Sequence, residues 1–323
     1  MRQLLLAHPV DVVVLEACTV AGWVYDLCGE LGLKAHVANP NGEAWKWKNV
    51  KRKTDRDDAL KLARLQAMGE LPLVHIPTQT TRQKRSLLHY RQSLVSQRVA
   101  VQNRMRALLC SQGLPAPRGH RAWTKLGREG MSQLARPLAE CAAEELWRGQ
   151  LALSLTHLQQ IEELIDQVEK KLDAFGQADA NVQTLQAIPG VGARTAEVVA
   201  SYLDNPKRFR KGSQVSSFAG LVPRQYQSGE TDRRGRINKR GPGLWRQVLV
   251  ECAWVMLRYN AWAQRLVQRI SRGQRTRKKQ AVVALARKLL VRCWAMLRDG
   301  KPWQDPCTSS ADGVVPTITV VSP

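Results

Sequence analysis

The sequence predicts an α/β domain followed by an all-α region, and three observations support this fold class. An apolar run rich in β-branched residues, 11–17, and a short segment, 34–39, that Pro40 closes enclose a stretch of helical apolar spacing at 21–32. From residue 80 to about residue 175 the apolar spacing is helical almost throughout. Helical patterns then resume on both sides of a Pro-Gly-Val-Gly turn at 189–192. A strand–helix–strand unit ahead of long helices is typical of a parallel sheet joined to a helical domain.

The first predicted domain covers residues 1–75. Its two strands should be neighbours in a mostly parallel sheet, because a helical segment connects them. A basic, Trp-containing loop follows at 41–53. Thr54 is then placed to cap a helix that runs towards Met68 with acidic residues in its first turn. Pro72 and Pro77 break the pattern and end the domain.

The second predicted segment, 76–177, is a helical and coiled-coil linker, interrupted near 113–119 by two prolines and two glycines. Apolar residues with spacings of three, four or seven predict a short coiled-coil seam in its second half. They are Leu151, Leu158, Ile161, Ile165, Val168 and Leu172. Such a seam suits a helical hairpin within one chain and a contact between two copies equally well, so both alternatives stay open.

The positive charge is concentrated in the third predicted domain, 178–300. The chain has 50 Lys and Arg against 27 Asp and Glu, a net charge of +23, and residues 205–300 alone hold 23 basic and 4 acidic residues. A basic surface of this size favours nucleic acid as the partner, because binding releases counterions. A merely solubilising surface is the alternative. Residues 301–323 are predicted to be a frayed tail.

Membrane and secreted classes do not fit the sequence. It contains no run of eighteen apolar residues, and its first residues lack the basic region of a signal peptide. Seven cysteines occur singly, without a CxxC pair, which disfavours a disulfide framework and a structural zinc site. We therefore predict a soluble cytoplasmic protein without a membrane partner, whose cysteines are free thiols.

A glycine turn provides the first candidate site. Pro189, Gly190, Val191 and Gly192 lie between two helical patterns and predict the hairpin of a helix-hairpin-helix. Backbone N–H groups can face outward there, and the next helix N-terminus adds partial positive charge, so the turn suits a DNA phosphate. The alternative is a plain helix corner in which glycine serves only the turn. The basic stretch downstream favours phosphate binding.

Three carboxylates form the second candidate site. Glu16 ends the first strand, and Asp55 and Asp58 lie three apart on one helix face. Oxygen ligands that converge at the carboxyl edge of a sheet suit one or two Mg²⁺ ions acting on a phosphodiester. The alternatives are a solvated strand end for Glu16 and an acid stabilised by the helix dipole for Asp55. Asp57 lies on a different face and is predicted to be a bystander.

A serine in a basic loop is the third candidate. Ser228 precedes Gly229, and the surrounding arginines, which would neutralise a phosphate, are Arg224, Arg233, Arg234 and Arg236. A Ser-Gly pair is more often only a turn. Because all six histidines lie upstream, this segment offers no local Ser–His pair. If Ser228 is a nucleophile, a metal-bound carboxylate site from another domain or subunit must activate it.

Five tryptophans could either stack on bases or pack in the core: Trp45, Trp47, Trp245, Trp254 and Trp262. We predict packing for the last three, because Trp254 and Trp262 lie at helical spacing among apolar residues.

Taken in order, these motifs resemble those of the DEDD transposases of the bridge-RNA insertion sequences. The resemblance spans roughly residues 10–300 and rests on Glu16-Ala17, Asn39-Pro40 and the segments 53–59, 188–192, 218–223 and 227–229. It implies a RuvC-like (RNase H-like) first domain with four acidic residues that bind magnesium, and a helical domain whose serine attacks DNA. Glu16, Asp55 and Asp58 would take the second to fourth acidic positions, and Ser228 the position of the nucleophile.

The resemblance also implies partners and a setting. The partners would be the DNA of the insertion-sequence ends and target, a structured guide RNA, and further copies of the chain in a dimer or tetramer. The setting would be the bacterial nucleoid. Family members begin with a strand that bears the first aspartate, whereas this chain starts just before the strand of Glu16. We therefore expect a truncated RuvC-like domain that lacks a first β-hairpin of about 40 residues.

Two other functions fit the same residues. A RuvC-like, metal-dependent DNA nuclease or resolvase would keep the carboxylates, cut by activated water and use Ser228 only as a loop residue. A catalytically inactive nucleic-acid-binding protein would use only the basic stretch and the glycine turn.

Overall fold

The chain divides into two compact units, residues 1–83 and residues 84–323. The structure, a computed structural model, describes residues 1–8, 10–39, 54–115, 119–228 and 231–305, apart from the side chains of Asp232 and Arg234. The predicted loop at 41–53, Pro40, Gly229 and most of the predicted tail lie outside the described residues.

The first unit contains the predicted strand–helix–strand arrangement. Its elements are α1 (Arg2–Ala7), β1 (Val13–Glu16), α2 (Ala21–Glu30), β2 (Ala35–Ala38) and α3 (Asp55–Ala67). β1 and β2 pair in parallel, with Glu16 opposite Ala38, so the predicted sheet direction is confirmed. α3 begins after Thr54 and ends before Met68, also as predicted. α1 was not predicted, because six residues are too few to show a helical period.

The second unit is helical apart from one β-hairpin within its described residues. The elements that contain or follow its first residues are α4 (Gln79–Ser111), α5 (Lys125–Leu134), α6 (Leu146–Gln177), α7 (Ala180–Gln186), α8 (Ala193–Leu203), α9 (Gly212–Phe218), β3 (Pro223–Ser228), β4 (Thr231–Ile237), α10 (Gly243–Tyr259), α11 (Ala261–Ser271) and α12 (Lys278–Asp299). The predicted break after α4 is present. A second break at 135–145 contains two short 3-10 turns and was not predicted. No helix in the described ranges is long and apolar enough to cross a bilayer.

The apolar seam of α6 is filled within one chain. All six predicted seam residues are buried in the same core as Leu88, Leu94 and Val101 of α4. An ion pair of 2.5 Å joins Arg91 Nη2 to Glu169 Oε1 and ties the two helices together. Of the two alternatives for the seam, the structure therefore contains the helical hairpin.

The tryptophan predictions have different outcomes. Trp245 is fully buried in the core. Trp262 is partly buried and meets Trp303 edge-on, with ring centroids 5.6 Å apart. Packing is thus confirmed for these two. For Trp254 the prediction is wrong, because its side of α10 faces away from the buried Ala253 and Met256 and leaves the residue 41% exposed.

Candidate functional site

Glu16 lies on the sheet face that α3 covers. Residues two apart in a strand share a face, so Glu16 lies on the same side as Val14. Val14 packs against the cluster formed by Ala38, Leu62 and Leu65 together with Leu71. Glu16 itself is half-buried at the end of β1. Its carboxylate is therefore displayed at the carboxyl edge of the sheet, beside α3.

Asp55 and Asp58 lie in the first turn of α3, where Thr54 caps the helix. The Thr54 hydroxyl accepts a hydrogen bond from the Asp57 N–H at 3.2 Å and donates one to Asp57 Oδ2 at 2.6 Å. Asp57 therefore belongs to the cap. Asp58 precedes Leu62 by one turn, so it lies on the helix face that covers the sheet, and it is half-buried, whereas Asp55 is exposed.

Two of the three carboxylates thus lie on facing surfaces. Glu16 and Asp58 offer the hard oxygen donors that Mg²⁺ prefers, so the chemistry of the donor set fits this ion. In the described part of the chain, however, no three Asp, Glu, His or Cys side chains are grouped closely enough to hold a metal. The site formed by Glu16, Asp55 and Asp58 stays a prediction.

The predicted glycine turn connects α7 to α8 and packs against α10. Gly190 has φ +94°, and a Cβ at this position would lie 2.9 Å from Met256 Cγ, so both backbone and packing require glycine. The carbonyl oxygens of the turn accept internal hydrogen bonds. Asn260 Nδ2 donates to the Pro189 oxygen at 3.2 Å, and Cys252 Sγ donates to the Gly190 oxygen at 3.3 Å.

The opposite edge of this turn is open. Pro189 and Gly192 are exposed, and Val191 is buried. Gly192 is the N-cap of α8 and has no side chain that could cap it. The first N–H groups of α8 consequently receive no side-chain acceptor and remain available to an anion.

Arg194, the first basic residue of α8, is committed to internal ion pairs. Its guanidinium contacts Asp173 and lies 3.1 Å from Glu197 Oε2. Glu197 is only 7% exposed. Burial raises the pKa of Glu197 to about 7, although the adjacent Arg194 acts to lower it. The guanidinium of Arg194 is therefore paired with carboxylates of α6 and α8.

Ser228 ends a β-strand, so the predicted loop around it is corrected to a β-hairpin. β3 and β4 pair antiparallel, with Ser228 opposite Thr231 and Tyr226 opposite Arg233. All six residues of β3 are exposed. The sequences of the two strands, PRQYQS and TDRRGRI, also lack the alternation of apolar and polar residues by which a strand is recognised.

One face of the hairpin brings a nucleophile and a cation together. Directly opposed residues of an antiparallel pair share a face, and so do residues two apart in a strand. Tyr226, Ser228, Thr231 and Arg233 therefore lie on the same face. Arg233 is exposed, as are Arg224 and Arg236, whereas the side chain of Arg234 is outside the described part. Tyr226, 66% exposed, was not predicted as a site residue, although it stands in the basic motif.

The base of the hairpin is fixed by backbone packing. Gly220 and Gly241 have φ of +70° and +100°. A Cβ on Gly220 would lie 2.1 Å from the Arg240 carbonyl oxygen, and one on Gly241 would lie 2.0 Å from that of Phe218. Arg246 Nη1 donates to the Gly241 oxygen at 2.8 Å. These contacts hold the base of the hairpin, whereas Ser228 and Thr231 at its other end are exposed.

A polar groove of about 490 Å³ opens beside this base. It is lined by Pro223, Arg224, Gln225, Tyr226, Asn238 and Arg240. The sequence reasoning included Arg224 but missed Asn238 and Arg240, which come close to the start of β3 because β4 runs back antiparallel to it. The groove leads along the strand that ends at Ser228.

Comparisons with known proteins match two separate segments of this chain to transposase families. The "Transposase IS116/IS110/IS902 family" model matches residues 182–268, and a DEDD transposase model of the IS110 type matches residues 2–112. The transposase for insertion sequence element IS1111A of Coxiella burnetii is 31% identical over 298 residues, which cover 89% of this chain and 78% of the relative.

Two further relatives match over similar lengths. The transposase for insertion sequence element IS1328 of Yersinia enterocolitica is 30% identical over 310 residues, covering 93% of this chain and 87% of the relative. A probable family 20 transposase of Pseudomonas aeruginosa is 32% identical over 302 residues, covering 90% and 84%.

Proposed function

This chain belongs to the IS110 family of insertion-sequence transposases, which are DNA transposase/recombinase enzymes, and on that premise we propose that it exchanges DNA strands through Ser228. The observation that supports this proposal is that Ser228 and Arg233 lie on the same face of the hairpin, whose other end is fixed by backbone packing at Gly220 and Gly241. A hydroxyl nucleophile and a cation beside it are two of the groups that attack on a phosphodiester requires, and a group that accepts the serine proton is the third.

In the proposed step, Ser228 Oγ attacks the phosphorus of a DNA phosphodiester. The Oγ–P bond forms as the bond to the 3′ oxygen breaks, the serine proton passes to a base, and the leaving 3′ oxygen takes up a proton. The product is a 5′-phosphoserine link, which keeps the bond energy for rejoining to another 3′ hydroxyl. Arg233 neutralises charge on the phosphoryl group as it transfers.

The remaining basic groups position the DNA in this proposal. Arg224, Arg234 and Arg236 contact the phosphate backbone of the DNA along the hairpin. The Pro189–Gly192 turn holds a second phosphate through the N–H groups of α8. Contacts of this kind fix the position of a duplex but do not read its sequence. A structured guide RNA, which the family resemblance implies, would then select the target.

Glu16, Asp55 and Asp58 would hold Mg²⁺. When bound, the ion stabilises negative charge on the transferring phosphoryl oxygens. We further propose that the enzyme works as a dimer or tetramer in which the carboxylates of one subunit serve Ser228 of another, in association with the bacterial nucleoid.

The test is a denaturing gel for covalent protein–DNA adducts. Full chain is incubated with insertion-sequence end DNA, guide RNA and Mg²⁺, and Ser228→Ala is compared with Ser217→Ala, which alters an exposed serine of α9. We expect adducts with the wild type and with Ser217→Ala but none with Ser228→Ala. An adduct that persists in Ser228→Ala would refute the nucleophile.

The same gel separates the other two functions. Free 5′-phosphate ends without an adduct would identify the metal-dependent nuclease or resolvase. Binding of DNA without any cleavage would identify the inactive nucleic-acid-binding protein. In parallel, Asp58→Asn should abolish the adduct, whereas Asp57→Asn should retain it because Asp57 serves the helix cap.

A further inference from the structure

A second cationic surface is formed by residues other than those assigned to strand exchange. Residues 272–280 are all exposed, and five of these nine are cationic, with no acid among them. α11 adds two arginines one turn apart. We call this set the α11–α12 corner: Arg265, Arg269, Arg272, Arg275, Arg277, Lys278 and Lys279. In the described ranges, the ion pairs found involve none of these seven side chains.

The corner has a groove as well as charge. Arg265, Gln268, Arg269, Arg272 and Gly273 line an open cleft of about 460 Å³. A polyanion can lie in such a cleft with cations along its path, and the absence of ion pairs means that no internal carboxylate has to be displaced. A strongly cationic surface of this kind repels basic partners and attracts nucleic acid.

An exposed aromatic ring borders the corner. Trp254 on α10 is 41% exposed, and Lys278 Nζ lies 5.7 Å from its ring centroid. Indole rings are usually well buried on average, so a tryptophan left at the surface beside a cation needs a reason. A base stacked on the exposed part of the ring, with its phosphate on Lys278, would supply one.

We propose that the α11–α12 corner binds a single-stranded nucleic acid, with an unpaired base stacked on Trp254. Stacking of this kind requires a base that is free of its own duplex, whereas the bases of an intact duplex are already stacked on one another. The cations alone would bind either form. The inference goes beyond the proposed strand exchange and uses none of its residues.

The test measures fluorescence anisotropy of labelled 20-nucleotide oligouridylate, 20-nucleotide oligothymidylate and a 20-base-pair duplex, each with the full chain. Trp254→Ala should weaken binding of both single strands about tenfold and leave duplex binding unchanged. Trp254→Phe should restore most of the single-strand affinity. Because Trp254 is partly exposed, both variants should fold, which thermal unfolding verifies.

The cationic part is tested by salt dependence. The triple variant Arg275→Ala/Arg277→Ala/Lys279→Ala should reduce the slope of log affinity against log salt by about 2 for a single strand. The matched control removes three exposed cations from α4–α6, Arg104→Ala/Lys125→Ala/Lys170→Ala, and should leave the slope unchanged.

The outcomes divide clearly. Tighter binding of oligouridylate identifies an RNA segment as the natural ligand, and tighter binding of oligothymidylate identifies a displaced DNA strand; both support the proposal. Equal losses in the triple variant and its control, or unchanged single-strand affinity in Trp254→Ala, would overturn it. Anisotropy measures this surface and the covalent adduct measures strand exchange, so failure of one is distinguishable from failure of the other.

Discussion

Gly220 is the residue at which the fixed base of the Ser228 hairpin can be tested most directly. Its φ of +70° lies in the left-handed region, and an added Cβ would lie 2.1 Å from the Arg240 carbonyl oxygen. Gly113 has nearly the same φ, +71°, but among the described residues beyond its chain neighbours no atom lies within 4 Å of its Cβ position. The pair therefore separates backbone strain from the close approach of two backbone segments.

The magnitudes follow from these two terms. An alanine forced into the left-handed region costs about 1–2 kcal/mol. At Gly220 the Arg240 carbonyl also has to move, which adds about 1–3 kcal/mol by analogy with overpacked cores. We expect Gly113→Ala to lose about 1–2 kcal/mol of unfolding free energy and Gly220→Ala about 2–5 kcal/mol.

Urea unfolding of the full chain measures these losses. Amide hydrogen exchange reports the local effect, because the Lys239 N–H donates to the Gly220 oxygen at 3.2 Å and the Asn238 N–H donates to that of Val222 at 2.9 Å. Both amides should lose protection in Gly220→Ala and keep it in Gly113→Ala. Formation of the serine adduct should fall only in Gly220→Ala. Equal destabilisation of the two variants, with the Lys239 and Asn238 amides still protected, would show that contact between Gly220 and Arg240 does not fix the hairpin.

Three further predictions concern the support of the glycine turn and the helical core. The raised pKa of Glu197, about 7, means that stability from this group is present below pH 4.5 and is lost as the pH rises through 7, by about 3 kcal/mol. Glu197→Gln should flatten this pH dependence in urea unfolding. Asn260→Ala removes the donor to Pro189 and the N-cap of α11, so it should cost about 1–3 kcal/mol and weaken duplex binding. Leu158→Ala should cost about 2–5 kcal/mol, against less than about 0.5 for the exposed Leu153→Ala.

Each of these has an outcome that contradicts it. A stability profile between pH 5 and pH 8 that is the same in Glu197→Gln and wild type would show that this carboxyl does not titrate there. Asn205→Ala, which removes the cap of a short 3-10 turn, is the control for Asn260→Ala, and equal loss of duplex binding in both would contradict support of the glycine turn. Equal effects at Leu158 and Leu153 would mean that the α6 seam is not buried within one chain.

The first unit was predictable because its signals are local. The valine-rich run of β1, the short segment of β2 that Pro40 closes, and Thr54 before the acidic first turn of α3 each lie within a few residues of the structure they specify. The spacing of three residues also predicted that Asp55 and Asp58 lie on the same face of α3. Whether Glu16 and Asp58 approach each other depends instead on how α3 packs against β1, which residues 55–67 do not encode by themselves.

The hairpin of Ser228 was not predictable in the same way. β3 reads PRQYQS and is exposed throughout, so no apolar alternation marks it as a strand. Its position is fixed by Gly220 and Gly241, which pack against backbone on the opposite side of the hairpin. Such contacts join residues about twenty positions apart, and glycine in the sequence indicates a turn without saying what it packs against. The sequence therefore indicated Ser228 as a candidate nucleophile, but it did not indicate the β-hairpin in which Ser228 lies.

Ser228 is exposed, although the hairpin that carries it is fixed at Gly220 and Gly241, and this exposure limits how the serine can be activated. A serine hydroxyl in water is a weak nucleophile and needs a base and a neutralised phosphate beside it. β3 is exposed over its whole length, so the hydroxyl meets solvent until a ligand covers it. Arg233 can bring the phosphate to that face, but it cannot accept the serine proton, because guanidinium stays protonated. We therefore expect the base to arrive with the assembled DNA complex, and a chain without guide RNA and cognate ends to form no adduct at any Mg²⁺ concentration.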